Sequence, residues 1–206
     1  MDAVHRVVAR CARCFTMSGE EVLKVFEDCG ALLRGHFVLT SGRHSPKFLQ
    51  AALVLQHPDT ARLLGEELAA KLTSERIDLV VGPAVGGIIL AHEVARSLGA
   101  AACYSEKERD RMVIRRGFSV RAAARAVVVE DVVTTGGSVR KTVQHLRERG
   151  AEVCGIGALV DRSGGTAEFD VSFHALAELA IETYDPTNCP LCKSDIPIVE
   201  PDARRG

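Results

Sequence analysis

The stretch Val127-Val-Val-Glu-Asp-Val-Val-Thr-Thr-Gly-Gly-Ser-Val139 carries the strongest structural signal in the chain. Residues 126–129 are a short run of small apolar and β-branched residues, which predicts a buried strand. The run leads through two carboxylates to a loop of threonine, glycine and serine at residues 134–138. Residues 139–149 then have the spacing of an amphipathic helix. The stretch therefore predicts a strand, a loop and a helix in immediate succession.

The residue types of this stretch suit a ligand with two chemically different ends. Glycines within residues 134–138 let the backbone approach an anion, and the first amides of the following helix point toward it. Hydroxyls of the same loop add donors, which favours a phosphate. Glu130 and Asp131 favour sugar hydroxyls or a metal-coordinated ligand. A solvated strand end and an ordinary turn would explain either half alone, but the two halves together indicate a ribose 5-phosphate site.

Strands and helices alternate along the chain on both sides of this stretch. A capping box at Ser18 and Glu21 predicts a first helix, and residues 31–55 have an extended pattern. The alternation predicts an α/β fold with a mostly parallel central sheet flanked by helices, whose ligands gather at the carboxyl ends of the strands. The predicted strands are 77–81, 100–104, 126–129, 152–160 and 173–181, and the predicted helices are 58–72, 88–98 and 139–149.

We expect three parts along the chain. Residues 1–55 should form a helix and strands that contribute to a small hood over the site. Residues 56–183 should form the α/β core that binds the sugar phosphate. Residues 184–206 contain four of the seven prolines, and we expect this tail to pack on the hood or the core.

Composition and charge restrict the class of protein. The chain has 206 residues, of which 47% are hydrophobic and 26% charged, with a net charge of −1. These values are typical of a soluble globular protein, and the lack of a basic field argues against nucleic acid as a partner. The N-terminus lacks the apolar core of a signal peptide, and no apolar run could span a bilayer. We therefore expect a cytoplasmic protein with no membrane partner, whose seven cysteines are mostly reduced.

The stretch at 127–139 lacks the patterns of a Walker A loop and of a dinucleotide-binding loop. It closely resembles the signature with which type I phosphoribosyltransferases bind phosphoribosyl pyrophosphate (PRPP). In that family the acidic pair holds the ribose 2′- and 3′-hydroxyls, and the loop cradles the 5′-phosphate. The resemblance implies a catalytic role for both carboxylates and assigns PRPP binding to Glu130, Asp131, Val132, Val133, Thr134, Thr135, Gly136, Gly137 and Ser138.

Three further segments resemble the orotate branch of this family. Residues 36–46 with Phe48 look like its N-terminal substrate segment, residues 81–87 look like its pyrophosphate loop, and residues 160–162 resemble its orotate-clamping Asp-Arg. The tail at 184–192 is similar to a thermophile-type subgroup. The resemblance implies PRPP binding by Ala84, Val85 and Gly86, and orotate binding by Phe48, Thr134 and Arg162.

The reaction implied by the resemblance joins orotate to the ribose 5-phosphate of PRPP, which yields orotidine 5′-monophosphate and pyrophosphate for UMP synthesis. It also implies Mg²⁺ carried by PRPP and a homodimer in which one loop is shared between subunits. The planar fork of Arg162 suits a pair of acceptors on orotate. The alternative for Arg162 is a surface ion pair with Asp161 or Glu168.

The chain departs from the commoner bacterial enzymes at two positions, since Thr40 and Gly86 stand where those enzymes have lysines. The charged segment 104–118 is where we expect compensation. In the family a flexible loop here carries cations over the pyrophosphate of the neighbouring subunit's site. Lys107 is the predicted catalytic cation, although the loop string matches imperfectly and a solvated loop is the alternative. Further cations of the segment are Arg109 and Arg111, both predicted PRPP ligands, and Arg115 and Arg116.

Two Cys-x-x-Cys pairs lie near the ends of the chain, and their four thiolates could hold a structural zinc ion if the ends met. The alternatives are incidental packing of each pair or a redox role for the second. The histidines show no metal-ligand spacing in the sequence, and His44 could touch a ligand in the substrate segment. The candidate zinc ligands are Cys11, Cys14, Cys189 and Cys192.

Two other functions compete with orotate transfer. A purine phosphoribosyltransferase would share the PRPP signature, but residues 160–162 and the segment at 41–46 argue against it. A regulator that keeps the PRPP site and binds RNA or DNA is the second. The near-neutral charge and the lack of an arginine-rich helix disfavour that alternative.

Overall fold

The computed structural model describes residues 16–39, 41–72 and 76–199. These residues form a six-stranded sheet and a separate two-stranded hairpin. None of the helices in these ranges has the length and apolar character needed to cross a lipid bilayer. The helices are α1 (Gly19–Asp28), α2 (Ala52–Leu55), α3 (Pro58–Leu72), α4 (Gly87–Leu98), α5 (Gly137–Glu148) and α6 (Pro190–Lys193), with a 3₁₀ turn at Pro186–Asn188. The strands are β1 (Leu32–Val38), β2 (His44–Leu49), β3 (Leu79–Pro83), β4 (Ala101–Glu108), β5 (Arg111–Ile114), β6 (Arg125–Val133), β7 (Glu152–Asp161) and β8 (Phe173–Glu178).

The central sheet has the strand order β5-β4-β3-β6-β7-β8, and only the β4–β5 pairing is antiparallel. Alternate side chains of β6 enter two different apolar clusters. Val127 and Val129 pack with residues of α1, α3 and α4, whereas Ala126 and Val128 pack with residues of α5. A strand covered on both faces must be apolar on both, which explains the continuous valine run. The predicted α/β fold with a mostly parallel sheet is confirmed.

Helix ends follow the signals in the sequence. The amide of Glu21 donates to Oγ of Ser18 at 3.2 Å, and the amide of Ser18 donates to Oε2 of Glu21 at 2.9 Å. This reciprocal pair confirms the predicted capping box at the start of α1. Helix α4 ends at Gly99, whose φ of 65° lies in the left-handed region that favours glycine.

Several predicted strand boundaries were wrong, among them the ends of β3, β4 and β8. Strand β6 does not end at residue 129 but continues to Val133, because its backbone pairs with β7 as far as Asp161. The acidic pair is therefore held within a hydrogen-bonded strand instead of following it. The extended pattern expected over residues 31–55 stops at Leu49, where β2 ends, and the chain then forms the short helix α2.

The charged segment at 104–118 is largely a β-hairpin, whereas we expected a flexible loop. Strands β4 and β5 pair antiparallel within it, and Met112 and Ile114 are buried on its inner side. Across the hairpin the guanidinium of Arg116 lies 2.8 Å from a carboxylate oxygen of Glu106. Alternate burial and cross-strand ion pairs let a highly charged sequence form strands.

The hairpin of β1 and β2 lies outside the central sheet and is joined by the tail. The register pairs Leu32 with Leu49 and Val38 with His44, and the ladder is irregular between Arg34 and Phe37. The tail then forms single bridges to both strands. His44 and Tyr184 exchange two backbone hydrogen bonds, of 2.9 and 2.8 Å, and Ile198 forms a parallel bridge to His36.

Candidate active site

The loop between β6 and α5 forms one wall of a cavity of about 280 Å³. Gly136 precedes α5 with a φ of 71°. A Cβ at this position would lie 2.7 Å from Cζ of Phe169, so both the backbone conformation and the available space require glycine. The first amides of α5 therefore start at the cavity wall, where a helix favours anions. The lining residues are Lys107, Arg111, Met112, Glu130, Val132, Val133, Thr134, Thr135, Gly136, Gly137, Ser138, Val139 and Lys141.

The two adjacent carboxylates of β6 are half-buried at the carboxyl end of the sheet. Burial, reinforced by the negative charge of Asp131, raises the pKa of Glu130 well above its usual range. Burial also raises the pKa of Asp131, although the amide of Val132 donates to its Oδ1 at 2.8 Å and favours the ionised form. No cation among the described residues opposes either shift.

This arrangement lacks partners that the carboxylates need. Two ionised carboxylates that are partly removed from water repel each other and lose hydration. Donor hydroxyls or a bound cation would relieve both costs. Of the two carboxylates, Glu130 lines the cavity and Asp131 does not. The other lining residues offer amides, threonine and serine hydroxyls and lysine, which suit a phosphoryl group. The cavity can therefore bind a sugar phosphate with a fixed direction.

The loop between β3 and α4 reaches the acidic pair from the neighbouring strand. A Cβ on Gly86 would lie only 2.3 Å from Oδ2 of Asp131, so no larger residue fits here unless one of the two moves. The contact leaves no room for a lysine side chain at position 86 in this arrangement. The amide of Ala84 donates to the carbonyl of Ser105 at 2.7 Å, which occupies it within the fold. The predicted diphosphate contacts are then left to Val85 and Gly86.

Basic side chains reach the cavity from three elements, β4, β5 and α5. Lys107 on β4 and Lys141 on α5 are exposed, and neither forms an ion pair within the described ranges. Arg111 also lines the cavity but pairs with Glu148 of α5. Arg109 lies in the tight turn of the hairpin with a φ of 55° and does not line the cavity. The structure thus brings Lys107 and Arg111 to the acidic motif and leaves Arg109 outside.

Of the three residues assigned to orotate, Thr134 lines this cavity, whereas Arg162 and Phe48 do not. Arg162 follows β7, and its amide donates to the carbonyl of Val133 at 2.7 Å, which fixes it beside the end of β6. Its Nε is buried without a hydrogen-bond partner in the described structure, and burial lowers the pKa of the guanidinium. Within the described residues Arg162 forms no ion pair with Asp161 or Glu168, and Oδ1 of Asp161 accepts from the amide of Ser163. Phe48 is half-buried in β2, where it packs on another phenylalanine ring.

Similarity to known proteins agrees with this geometry. The phosphoribosyl transferase domain matches residues 54–180. Orotate phosphoribosyltransferase of Caldanaerobacter subterraneus is 48% identical over 92% of the chain and all of that protein, and the one of Pelotomaculum thermopropionicum is 49% identical with the same coverage. The chain belongs to the orotate phosphoribosyltransferase family. The crystal structure of the Aeropyrum pernix member superposes with a TM-score of 0.66 and 32% identity over 77% of this chain and 93% of the other.

Membership of the orotate phosphoribosyltransferase family confirms the branch that the sequence segments indicated. The purine branch shares the PRPP signature, so the signature alone could not make that choice. The segments that indicated the orotate branch in the sequence are residues 36–46 with Phe48, 81–87 and 160–162. The relatives match over nearly the full chain and not only over the nucleotide-binding core.

The sequence analysis missed three cavity residues, Met112, Val139 and Lys141, of which Lys141 is charged. It lies one helical turn after Gly137, and residues four apart share a face of a helix. That spacing was visible in the sequence, since the loop had already fixed which face of α5 meets a ligand. Lys141 therefore adds a positive charge to the cavity that residues 134–138 also line.

The predicted zinc ligand set is only partly reproduced. Cys11 and Cys14 lie outside the described residues. Cys189 and Cys192 instead lie beside His36 and His44 of the hairpin. The histidines show no metal-ligand spacing in the sequence, but strand pairing brings His36 and His44 together in space. His44 is buried in this cluster, where it contacts tail residues and the other histidine.

Proposed function

We propose that this protein transfers ribose 5-phosphate from PRPP to orotate, which forms orotidine 5′-monophosphate and releases pyrophosphate in the synthesis of UMP. The observation that carries the proposal is the pair Glu130 and Asp131, which lacks cationic partners beside a glycine-built helix start. Relatives named for this activity match 92% of the chain. The order of these groups along β6 and α5 matches the order of hydroxyls and phosphate on ribose 5-phosphate.

For PRPP, we assign the ribose hydroxyls to the acidic pair and the 5′-phosphate to residues 134–138. Donation from two hydroxyls would offset the burial that raises both pKa values and the repulsion that adds to the shift at Glu130. Lys141 adds a cation on the phosphate side, and Lys107 with Arg111 adds positive charge for the diphosphate. Val85 and Gly86 supply backbone amides from the loop that abuts Asp131.

For orotate, we assign the ring and its carboxylate to Arg162, with Thr134 and Phe48 as neighbours. A buried guanidinium nitrogen without a partner is costly, and a planar anion with paired acceptors would satisfy it. Thr134 lines the PRPP cavity next to the strand end from which Arg162 departs. The acceptor base would therefore lie beside the sugar carbon that reacts.

The chemistry needs positioning and charge stabilisation more than a covalent group. N1 of orotate is acidic enough to attack as an anion, so no protein base is required. As pyrophosphate leaves, negative charge grows on its oxygens, where Lys107 can stabilise it. The carboxylate-rich edge fits a Mg²⁺–PRPP complex, and bound Mg²⁺ would supply further neutralisation of the leaving group. We place the protein in the cytoplasm as a homodimer with a shared loop, as the resemblance implies.

The test is a spectrophotometric assay of orotate loss with PRPP, run with and without Mg²⁺, beside adenine, guanine and hypoxanthine. We expect orotate to be consumed only when PRPP and Mg²⁺ are both present, with one pyrophosphate released per orotate. A purine consumed in place of orotate would refute the assignment of Arg162. No turnover with any base, in a protein that still binds PRPP, would favour a regulator.

A further inference from the structure

A second cluster of chemically reactive side chains lies away from the cavity. It joins His36 of β1, His44 of β2 and the tail residues Cys189 and Cys192. One nitrogen or sulfur atom of each lies within 4.8 Å of the corresponding atoms of the others. Both histidines and Cys189 are buried, and Cys192 lies at the rim. The proposed transfer reaction uses none of the four.

The separations within the cluster approach those of a tetrahedral site. Nε2 of His36 lies 3.7 Å from the sulfur of Cys189 and 3.7 Å from that of Cys192, while Nδ1 of His44 lies 3.3 Å from Cys192. Around zinc, donor atoms stand about 3.3–3.8 Å apart, since the bonds measure about 2.0–2.3 Å. The two nitrogens, 2.8 Å apart, would separate by about 0.5 Å to fit that geometry.

The tautomer of His36 is fixed in the way a metal ligand needs. Its Nδ1 lies 2.7 Å from the carbonyl oxygen of Ile196. A carbonyl can only accept, so Nδ1 must carry the proton, and in the neutral ring Nε2 then presents a lone pair to the cluster. A histidine that binds metal usually donates its other N–H to a carbonyl or carboxylate in this manner.

We propose that His36, His44, Cys189 and Cys192 bind one Zn²⁺ ion that fastens the C-terminal tail to the β1–β2 hairpin. Two imidazoles and two thiolates suit zinc, whereas Mg²⁺ prefers oxygen ligands. Four protein ligands close the coordination sphere, which is typical of a structural site. The cysteines have the two-residue spacing common in such sites. This ligand set replaces Cys11 and Cys14 of the earlier interpretation with the two histidines.

The position of the site gives it a structural task. The tail also meets the hairpin here through hydrogen bonds, among them the backbone bonds of His44 with Tyr184 and of the Val199 amide with the carbonyl of His36 at 2.7 Å. Two of the proposed ligands are therefore the same residues that carry these bonds. A metal ion would cross-link two segments that are more than 140 residues apart and would hold the hairpin that carries Phe48.

The test measures metal in protein purified under reducing conditions with zinc in the medium. We expect about one zinc ion per chain by mass spectrometry of the metal. Replacement by Co²⁺ should give visible absorption of a tetrahedral site and a near-ultraviolet sulfur-to-cobalt band. Cys192→Ser and His44→Ala should lose the metal, and Cys29→Ser, a cysteine outside the cluster, should keep it. Chelation should lower the melting temperature of the native chain.

Three results would overturn the proposal. The first is a folded native protein that binds neither zinc nor cobalt. The cluster would then be held by hydrogen bonds alone, with Nδ1 of His44 donating to Nε2 of His36. Mass analysis could find a Cys189–Cys192 disulfide in the protein as purified. A Cys11→Ser/Cys14→Ser double variant could lose the metal while Cys192→Ser retains it. If the cluster variants fail to fold, the effect of chelation on the native chain still decides. None of these measurements depends on the transfer reaction.

Discussion

At Glu130 and Asp131 the fold opposes the ionisation that the proposed ligand requires. Burial raises both pKa values, and the repulsion between the two carboxylates adds to the shift at Glu130. Strand β6 holds the pair in place through its ladder with β7. The protein thus keeps an unfavourable arrangement that a hydroxyl-rich or cationic ligand would relieve, and such strain is common at functional sites.

Asp131→Asn should reduce PRPP-dependent turnover by about 10²-fold or more, because a charged acceptor for the ribose hydroxyls is lost. The amide keeps the shape of the side chain and can still accept from Val132. Steady-state kinetics with varied PRPP would measure the effect, and circular dichroism would check the fold. The exposed Asp59→Asn serves as a control. Kinetics close to those of the native enzyme would contradict the assignment of the motif.

Glu130→Gln should stabilise the ligand-free protein, and more so as the pH rises. A carboxyl whose pKa is raised by folding contributes stability below its unfolded value, near 4.3, and loses it as the pH passes the folded value. Glutamine does not ionise, so the melting difference between variant and native chain should grow from pH 5 to pH 8. Each kcal/mol of destabilisation that the substitution removes should raise the melting temperature by about 2–4 °C. Exposed Glu27→Gln should show no such trend, and an equal trend in both would disprove the explanation.

Arg162→Ala should raise the KM for orotate by about 10- to 100-fold, the value of a lost charge-assisted hydrogen bond. The KM for PRPP should change much less, because Arg162 does not line the PRPP cavity. Arg121→Ala, on an exposed arginine, is the matched control. A selective loss of PRPP affinity would move Arg162 from the base to the sugar phosphate.

Single residues were predictable wherever local chemistry decided them. The carboxylates, the glycines of residues 134–138 and the capping serine follow from needs that a few neighbouring residues impose. His36 and His44 could not be found as a pair, because their approach depends on a hairpin register that is irregular between them. Their contact with the tail depends on two segments whose separation in sequence gives no signal.

Among the elements, the loop from β3 to α4 restricts the site most tightly. Gly86→Ala would place a Cβ 2.3 Å from Oδ2 of Asp131, closer than real contacts allow. We expect the loop or the carboxylate to shift, with a fall of about tenfold or more in kcat/KM for PRPP and little change in melting temperature. Gly19→Ala, where a Cβ meets only ordinary contacts of 3.6 Å and longer, is the control. Unchanged kinetics would show that the contact is not needed.

Hydrophobic periodicity in the sequence predicted some of the helices and strands and missed others. Helices α3 and α4 and the parallel strands were placed within a few residues, because apolar runs and glycine ends are local signals. The hairpin of β4 and β5 was missed, since its charges suggested a loop and only Met112 and Ile114 mark the inner face. The ion pair between Glu106 and Arg116 helps to stabilise the charged hairpin, and this pair forms only once the two strands are paired.

In a homodimer, the β4–β5 hairpin could supply its cations to the active site of its own chain or to that of the neighbouring subunit. Lys107 and Arg111 line the cavity of their own chain, whereas the family resemblance implies a loop shared with a neighbouring subunit. Both arrangements put a cation beside the leaving diphosphate. They differ in whether one chain contains a complete site, and that difference can be measured by mixing subunits.

Mixing the inactive variants Lys107→Ala and Asp131→Asn should restore activity if the hairpin acts across a dimer. Each alone should be impaired, Lys107→Ala by about 2–4 kcal/mol of barrier. In a mixed dimer, one site would combine the native Asp131 of one chain with the native Lys107 of the other. Random exchange makes half the dimers mixed, so activity should reach about one quarter of the native value. Exchange would be followed by tagged subunits, with each variant refolded alone as the control. If the mixture instead shows only the mean of the two variants, each chain uses its own hairpin, and the shared loop is excluded while the assignments of both residues stand.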